Sequence, residues 1–270
     1  MNRVAIVLGL VPFVCMSTQI TAQEKATIAV IGTGDMGDSI GPRLAALGYR
    51  VVYGTRDPAS EKVAALIART GHGATATTQK EAAQAGEIVF TLVPWPAMET
   101  VAQGLGDLAG KIIVDTSMPF EQGADGYPQS MLETSSAEMI QRWNPHAKVV
   151  KAFATQGSQI IDDPQAAGGP VTVPIASNDR NAKQKVAALA VEMGLEPADF
   201  GPLRMARQIE ALQMTYMIPL VQHRQTSWEF YFRPSHYWAC LPQAEVSVTV
   251  FDAANLAVMP GTHDPVQPCP

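Results

Sequence analysis

An apolar strand that runs straight into three glycines leaves a chain few ways to fold. Ile28-Ala-Val-Ile31 is followed by Gly32-Thr-Gly34-Asp-Met-Gly37, and the stretch Asp35 to Leu47 has helical character with Gly48 as a stop. A second apolar strand, Arg50 to Tyr53, then ends in Gly54, Thr55 and Arg56. Strand, glycine turn, helix and strand together make a βαβ unit. In such a unit Gly32 permits the tight turn, Gly34 lets a ligand approach the backbone, and Gly37 lets the helix pack closely on the sheet. The helix aims unpaired N–H groups and the positive end of its dipole at whatever sits there, which suits a dinucleotide pyrophosphate. Pro42 falls inside the helix and is expected to kink it.

The end of the second strand bears on which dinucleotide. An acid there accepts hydrogen bonds from a ribose 2′-hydroxyl and repels a 2′-phosphate. This chain places Thr55 and Arg56 there, a hydroxyl donor and a guanidinium fork suited to phosphate. Asp57 follows immediately, and the alternative is an Arg56 that merely pairs with it. The reading favours NADP.

Beyond the first unit, β-like and helical stretches alternate as far as Phe200. Strands are expected over Lys25–Ile31, Glu87–Val93, Lys111–Asp115, Lys148–Ala154 and Val171–Ala176. Helices are expected over Pro58–Arg69, Gln79–Ala85, Ala97–Leu105, Ser136–Arg142 and Asp179–Met193, with a loop over Pro119–Pro128. Repeated βα units imply a Rossmann-type α/β fold with a doubly wound, mainly parallel sheet. The segments after its strands then converge on one edge: Gly32–Gly37, Thr55–Arg56, Val93–Pro96, Thr116–Pro119 and Phe153–Gln156. Pro202–Phe232 reads as a C-terminal helix that Pro219 should kink or divide, packed across the domain or against a second subunit. Trp228, Phe230, Tyr231, Phe232, Tyr237 and Trp238 form an aromatic cluster, read as core or dimer contact, with stacking on a flavin-like ring as the sharper alternative. Glu245–Phe251 alternates like a strand, and Pro260–Pro270 reads as an irregular tail.

The organisation expected is a leader over residues 1–23, an NADP-binding domain over 24–200 and an extension over 201–270. Residues 4–16 are almost wholly apolar behind Arg3, and Ala22 is a small residue suited to a signal-peptide cut. Cleavage would place the protein in the periplasm or outside the cell; a start at Met16 would keep it cytoplasmic. The net charge of −6 offers no basic footprint for nucleic acid, and no apolar stretch is long enough to span a bilayer. Three cysteines, Cys15, Cys240 and Cys269, are too few for a disulfide framework, although the last two could pair after export. No metal-ligand cluster is seen, and the five histidines read as surface or packing residues.

The pattern from about Ala26 to Arg224 resembles the NADPH-dependent F420 reductase family, to which the N-terminal oxidoreductase domain of the STEAP metalloreductases is similar. The carriers are Ile31-Gly-Thr-Gly-Asp-Met-Gly37, Gly54-Thr-Arg-Asp-Pro58, Val93-Pro-Trp95, Leu108-Ala-Gly-Lys-Ile-Ile-Val-Asp115, Val150-Lys-Ala-Phe153 and Gly201-Pro-Leu-Arg-Met-Ala-Arg207. The resemblance implies a pyrophosphate loop of Gly32, Thr33, Gly34, Asp35 and Met36, and a 2′-phosphate site of Thr55 and Arg56. It also implies a nicotinamide-ribose border of Val93 and Pro94 and a nicotinamide wall of Ala152 and Phe153. It implies direct hydride transfer between NADPH and a flavin or F420 ring as the small-molecule acceptor, with no catalytic acid or base. Two departures stand out. The family often carries Asn before Pro119 and after Phe153, where this chain has Met118 and Ala154. Both changes remove amide groups beside the expected nicotinamide pocket. The alternatives are a non-catalytic NADP-binding sensor and an imine or ketone reductase on the pyrroline-carboxylate reductase plan. A β-hydroxyacid dehydrogenase plan wants a Lys on the long helix, and Pro202–Phe232 has none.

Overall fold

Alternation of apolar residues along the central strands creates two opposite apolar faces, and the helices cover both. The computed structural model describes residues 25–224 and 228–232. Its strands and helices in chain order are β1 (Thr27–Ile31), α1 (Asp35–Ala46), β2 (Arg50–Thr55), α2 (Glu61–Thr70), β3 (Thr75–Thr78), α3 (Gln79–Ala85), β4 (Ile88–Thr91), α4 (Trp95–Gly104), β5 (Ile112–Asp115), β6 (Phe120–Gln122), β7 (Pro128–Ser130), α5 (Ser136–Trp143), β8 (Lys148–Lys151), α6 (Ser158–Asp162), β9 (Thr172–Ser177), α7 (Arg180–Glu192), β10 (Glu196–Gly201) and α8 (Ala206–His223). A turn of 3₁₀ helix, Leu203–Met205, leads into α8.

Eight strands form one sheet in the order β10-β9-β8-β5-β4-β1-β2-β3. The six from β3 to β8 run parallel, while β9 meets β8 antiparallel through Val150↔Ser177 and Lys151↔Ala176. The order turns back at β1, so the chain winds outward first on one side and then on the other. Ile28 and Val30 face the core shared with α1, α2 and α7, together with Tyr53, Phe90, Val114 and Val150. Ala29 and Ile31 face the opposite core, where Met98, Ile113, Ile140, Val149 and Leu203 pack. Burying each large apolar side chain contributes roughly 1.5–3 kcal/mol.

The parallel, doubly wound α/β architecture with a C-terminal helix agrees with the pattern read from the sequence. Several elements differ in detail. The expected loop Pro119–Pro128 contains the β6–β7 hairpin, paired Phe120↔Ser130 and Gln122↔Pro128. Pro58 lies before α2, whose cap is Ser60, because Asp57 first turns the chain through Ala59 N–H. The C-terminal helix stops at His223, with Arg224 in a left-handed conformation, and it is not divided at Pro219. Likewise Pro42 is accommodated inside a continuous α1. Residues 228–232 are not helical: Phe230 C=O accepts from Thr172 N–H, and Phe232 N–H donates to Thr172 Oγ1. The expected leader, all three cysteines, Tyr237, Trp238, the Glu245–Phe251 strand and the Pro-rich tail lie outside the described residues.

Candidate functional site at the carboxyl edge of the sheet

Because β1, β2, β4, β5 and β8 are parallel neighbours, the segments that follow them share one edge. This is where open α/β sheets bind ligands, next to the reversal of strand order at β1. The turn after β1 is built around Gly32. Its φ is +121°, and a Cβ there would lie 2.3 Å from the Leu92 carbonyl oxygen at the end of β4. Gly32 N–H also donates to Gly54 C=O, so the ends of β1, β2 and β4 are locked together. At Gly37 a Cβ would stand 2.3 Å from the Gly32 carbonyl, which shows how tightly the helix sits on its own turn.

Gly34 is different. It caps α1 without any side-chain hydrogen bond, and a Cβ there would meet nothing within 4 Å. Among the described residues, no packing of the protein against itself requires glycine here. The first N–H groups of α1 point out of the N-terminal end of the helix, as helix geometry dictates. Asp38 in the first turn is paired with Arg69 of α2, and Asp35 is exposed. The helix is held close to β2 at Gly41, over Tyr53, whose hydroxyl shares a 2.7 Å hydrogen bond with Thr70 Oγ1. Burial pushes the Tyr53 phenol above its ordinary range.

At the end of β2, Thr55 is half-buried and Arg56 exposed. Asp57 does not pair with Arg56; its Oδ1 accepts from Ala59 N–H at 3.2 Å. Among the described residues the Arg56 guanidinium has no hydrogen-bond or ion-pair partner. Val93 is half-buried and Pro94 exposed at the start of α4. Ala152 and Phe153 follow β8, and both are buried. Phe153 adopts φ +54°, and its ring packs on Phe90 with centroids 5.7 Å apart. A non-glycine residue in this region carries roughly 1–3 kcal/mol of strain, which marks a turn whose shape is over-determined by its surroundings. The expected cofactor segments Gly32–Gly37, Thr55–Arg56, Val93–Pro94 and Ala152–Phe153 thus follow neighbouring parallel strands at one edge, with the side chain of Phe153 turned into the core.

The sequence reading gave no role to the charged group beneath this edge. Lys151 and Asp115 have no solvent exposure. Lys151 Nζ lies 3.1 Å from Asp115 Oδ2 and 3.1 Å from Glu210 Oε1, and donates to Ser136 Oγ and to Ser117 C=O at 2.6 Å. Ser136 Oγ stands 2.5 Å from Asp115 Oδ2 and 2.7 Å from Glu210 Oε1, with one proton to give. Burial, reinforced by the Asp115 charge and opposed by Lys151, raises the Glu210 pKa. A lysine within the apolar run Val149-Val-Lys-Ala-Phe153 was the available signal, since a buried ammonium requires partners. Gln213, one turn beyond Glu210 on α8, donates to Ala154 C=O. Farther along, Glu229 is raised to about 7 by burial, with Tyr216 donating to it. Among the described residues no three His, Cys, Asp or Glu side chains are grouped to hold a metal ion, and no helix is long and apolar enough to cross a membrane.

Residues 27–119 match the family model described as NADP oxidoreductase, coenzyme F420-dependent. The F420-dependent NADP reductase of Methanothermobacter marburgensis is 30% identical over 200 residues, covering 68% of this chain and 88% of that protein. Metalloreductase STEAP3 of Rattus norvegicus is 31% identical over 192 residues, 71% of this chain; the match spans only 37% of that longer protein. A crystal structure from Arthrobacter sp. FB24, provisionally described as an F420-dependent NADP reductase, superposes with a TM-score of 0.70 at 30% identity and covers 78% of this chain and all of that one. A pyrroline-5-carboxylate reductase from Coxiella burnetii, at 16% identity and a TM-score of 0.52, shares the fold. Fold, glycine turn and relatives place the chain in the class of NADP oxidoreductase-like proteins. The chain belongs to the coenzyme F420-dependent NADP oxidoreductase family.

Proposed function

We propose that this enzyme transfers hydride between NADP(H) and a flavin or deazaflavin (F420-like) acceptor. The observation that carries the NADP half is Arg56, whose guanidinium has no partner among the described residues, at the end of β2. The local structure fits the group. Gly32, Thr33, Gly34, Asp35, Met36 and Gly37 would hold the pyrophosphate, with Gly34 leaving the approach open. Thr55 and Arg56 would take the 2′-phosphate, since Asp57 is occupied by backbone and leaves the fork of Arg56 free. Val93 and Pro94 would border the nicotinamide ribose, and Ala152 with the Phe153 backbone would wall the nicotinamide.

NADPH, when bound, supplies the hydride. The protein's part is to hold one face of the ring against the acceptor and keep water out, which positioned backbone and packed side chains can do without a catalytic acid or base. The acceptor follows from the family name and the F420-dependent relatives rather than from a contact in the site. The test is NADPH oxidation with FMN, FAD and F420 offered in turn. Turnover with one of them supports the proposal. Tight NADPH binding with no oxidation by any of the three refutes the acceptor class.

A further inference from the structure

Two buried polar residues of α8, Glu210 and Gln213, stand three positions apart and therefore on one face of the helix. Each reaches a different turn at the carboxyl edge. Glu210 Oε1 accepts the Ser136 N–H at 2.9 Å and meets Lys151, whose ammonium donates to Ser117 C=O. Asp115 Oδ1 accepts the N–H of the same Ser117 at 2.8 Å, so the buried ions grip both backbone polar groups of that residue. Ser117 immediately precedes Met118 and Pro119 in the turn after β5. Gln213 holds Ala154 C=O in the turn after β8, 2.5 Å away. A buried ion cluster is a poor way to gain stability, because apolar packing of similar volume commonly does as well or better. What it provides here is fixed geometry for the turn after β5, as Gln213 provides for the turn after β8 at the same edge.

We propose that α8 is a brace for the nicotinamide half of the site, with Glu210, acting through Lys151, and Gln213 as its positioning residues. This rests on the reading that NADP occupies the carboxyl edge. The adenine half of that edge, at β1 and β2, lies outside the brace: neither residue has a hydrogen bond to Gly32–Gly37 or Thr55–Arg56 among the described residues. Gln213 also supplies an amide to position 154, where a side-chain amide is missing because residue 154 is alanine.

The experiment measures binding of two probes to the full chain by calorimetry: NADPH, and adenosine 2′,5′-bisphosphate, which carries only the adenine half. The emission of bound NADPH serves as a separate report on the nicotinamide ring. Gln213→Ala and Glu210→Ala should leave adenosine 2′,5′-bisphosphate within about two-fold of wild type, weaken NADPH about ten-fold, and shift the bound emission. Glu210→Gln, which keeps an oxygen for Ser136 and Lys151, should recover most of the NADPH affinity. Should Glu210→Ala fail to fold, Gln213→Ala decides alone, since it removes one neutral bond. Equal weakening of both probes, or no change in either, overturns the brace. Wild-type protein that takes up neither probe overturns the NADP reading itself, and the brace with it.

Discussion

On the proposed reading Gly34 is kept for a ligand, whereas Gly37 is kept for the fold, and alanine at the two positions should behave differently. At Gly37 an added methyl would meet the Gly32 carbonyl at 2.3 Å, backbone against backbone, so α1 has to lift off its turn. Overpacking of that kind costs about 1–3 kcal/mol, which for a domain of this size lowers Tm by roughly 4–10 °C. At Gly34 the methyl meets nothing within 4 Å, and the local φ of −83° with ψ of −170° is open to alanine. Loss of a favoured cap residue and gain from a stiffer unfolded chain nearly offset, each about 0.5–1 kcal/mol. Gly34→Ala should therefore melt within about 3 °C of wild type. Its methyl nevertheless projects into the open space at the turn, where the proposed pyrophosphate would approach the backbone. Displacing a phosphate from even one charge-assisted backbone bond costs about 1.5–3 kcal/mol, or roughly 10- to 150-fold in NADPH affinity. Melting curves and calorimetric titration of the two variants make the assay. A Gly34→Ala protein that melts normally and binds NADPH within about three-fold of wild type would refute the reasoning, because the glycine would then be an ordinary turn residue.

Other substitutions test neighbouring parts of the account. Arg56→Ala should weaken NADPH by about 10- to 100-fold and NADH by less than about three-fold, because only the former has a phosphate for the guanidinium to grip; equal effects on both would show that Arg56 is a solvated loop cation. Gly41→Ala places a methyl 1.9 Å from Tyr53 Oη and must break the Tyr53–Thr70 bond, so Tm should drop by roughly 5–10 °C with the NADPH-to-NADH preference unchanged. Glu138, hydrogen-bonded by Arg207 through both carboxylate oxygens, is held down at about 2, chiefly by that contact. Since its folded pKa is depressed, its contribution is present above the ordinary glutamate range and lost as pH falls toward 2. The stability gap between wild type and Glu138→Gln should thus be open at pH 6 and close between about pH 4 and pH 2; a gap that widens on acidification would contradict the assignment.

The first βαβ unit was legible because its glycines and apolar periods are local signals. The strands β4, β5 and β8 were equally plain, being short apolar runs bounded by polar residues. What escaped has physical reasons. β3, Thr75-Ala-Thr-Thr78, is a polar edge strand with one covered side, and β10 carries Glu196 and Asp199 at the other edge. The β6–β7 pairs and the five-residue α6 are too short for any period to show. Pro219 carries the residue type of a helix breaker, yet it is buried inside α8 and the helix continues past it. In the candidate site, the glycine turn and Arg56 can be proposed from the sequence because the chemistry expected of them is carried by residue type and spacing. The Lys151 cluster cannot, since its members lie 36 residues apart in one pairing and 74 in another, and only the sheet order and the packing of α5 against α8 bring them together.

The central claim is that the first crossover of this sheet holds a dinucleotide by its extra phosphate. Calorimetric titration of the purified chain with NADPH and with NADH in the same buffer tests it most directly. The account predicts saturable uptake of both, with NADPH tighter by at least about ten-fold. Binding of neither, or of the two with equal affinity, would contradict it.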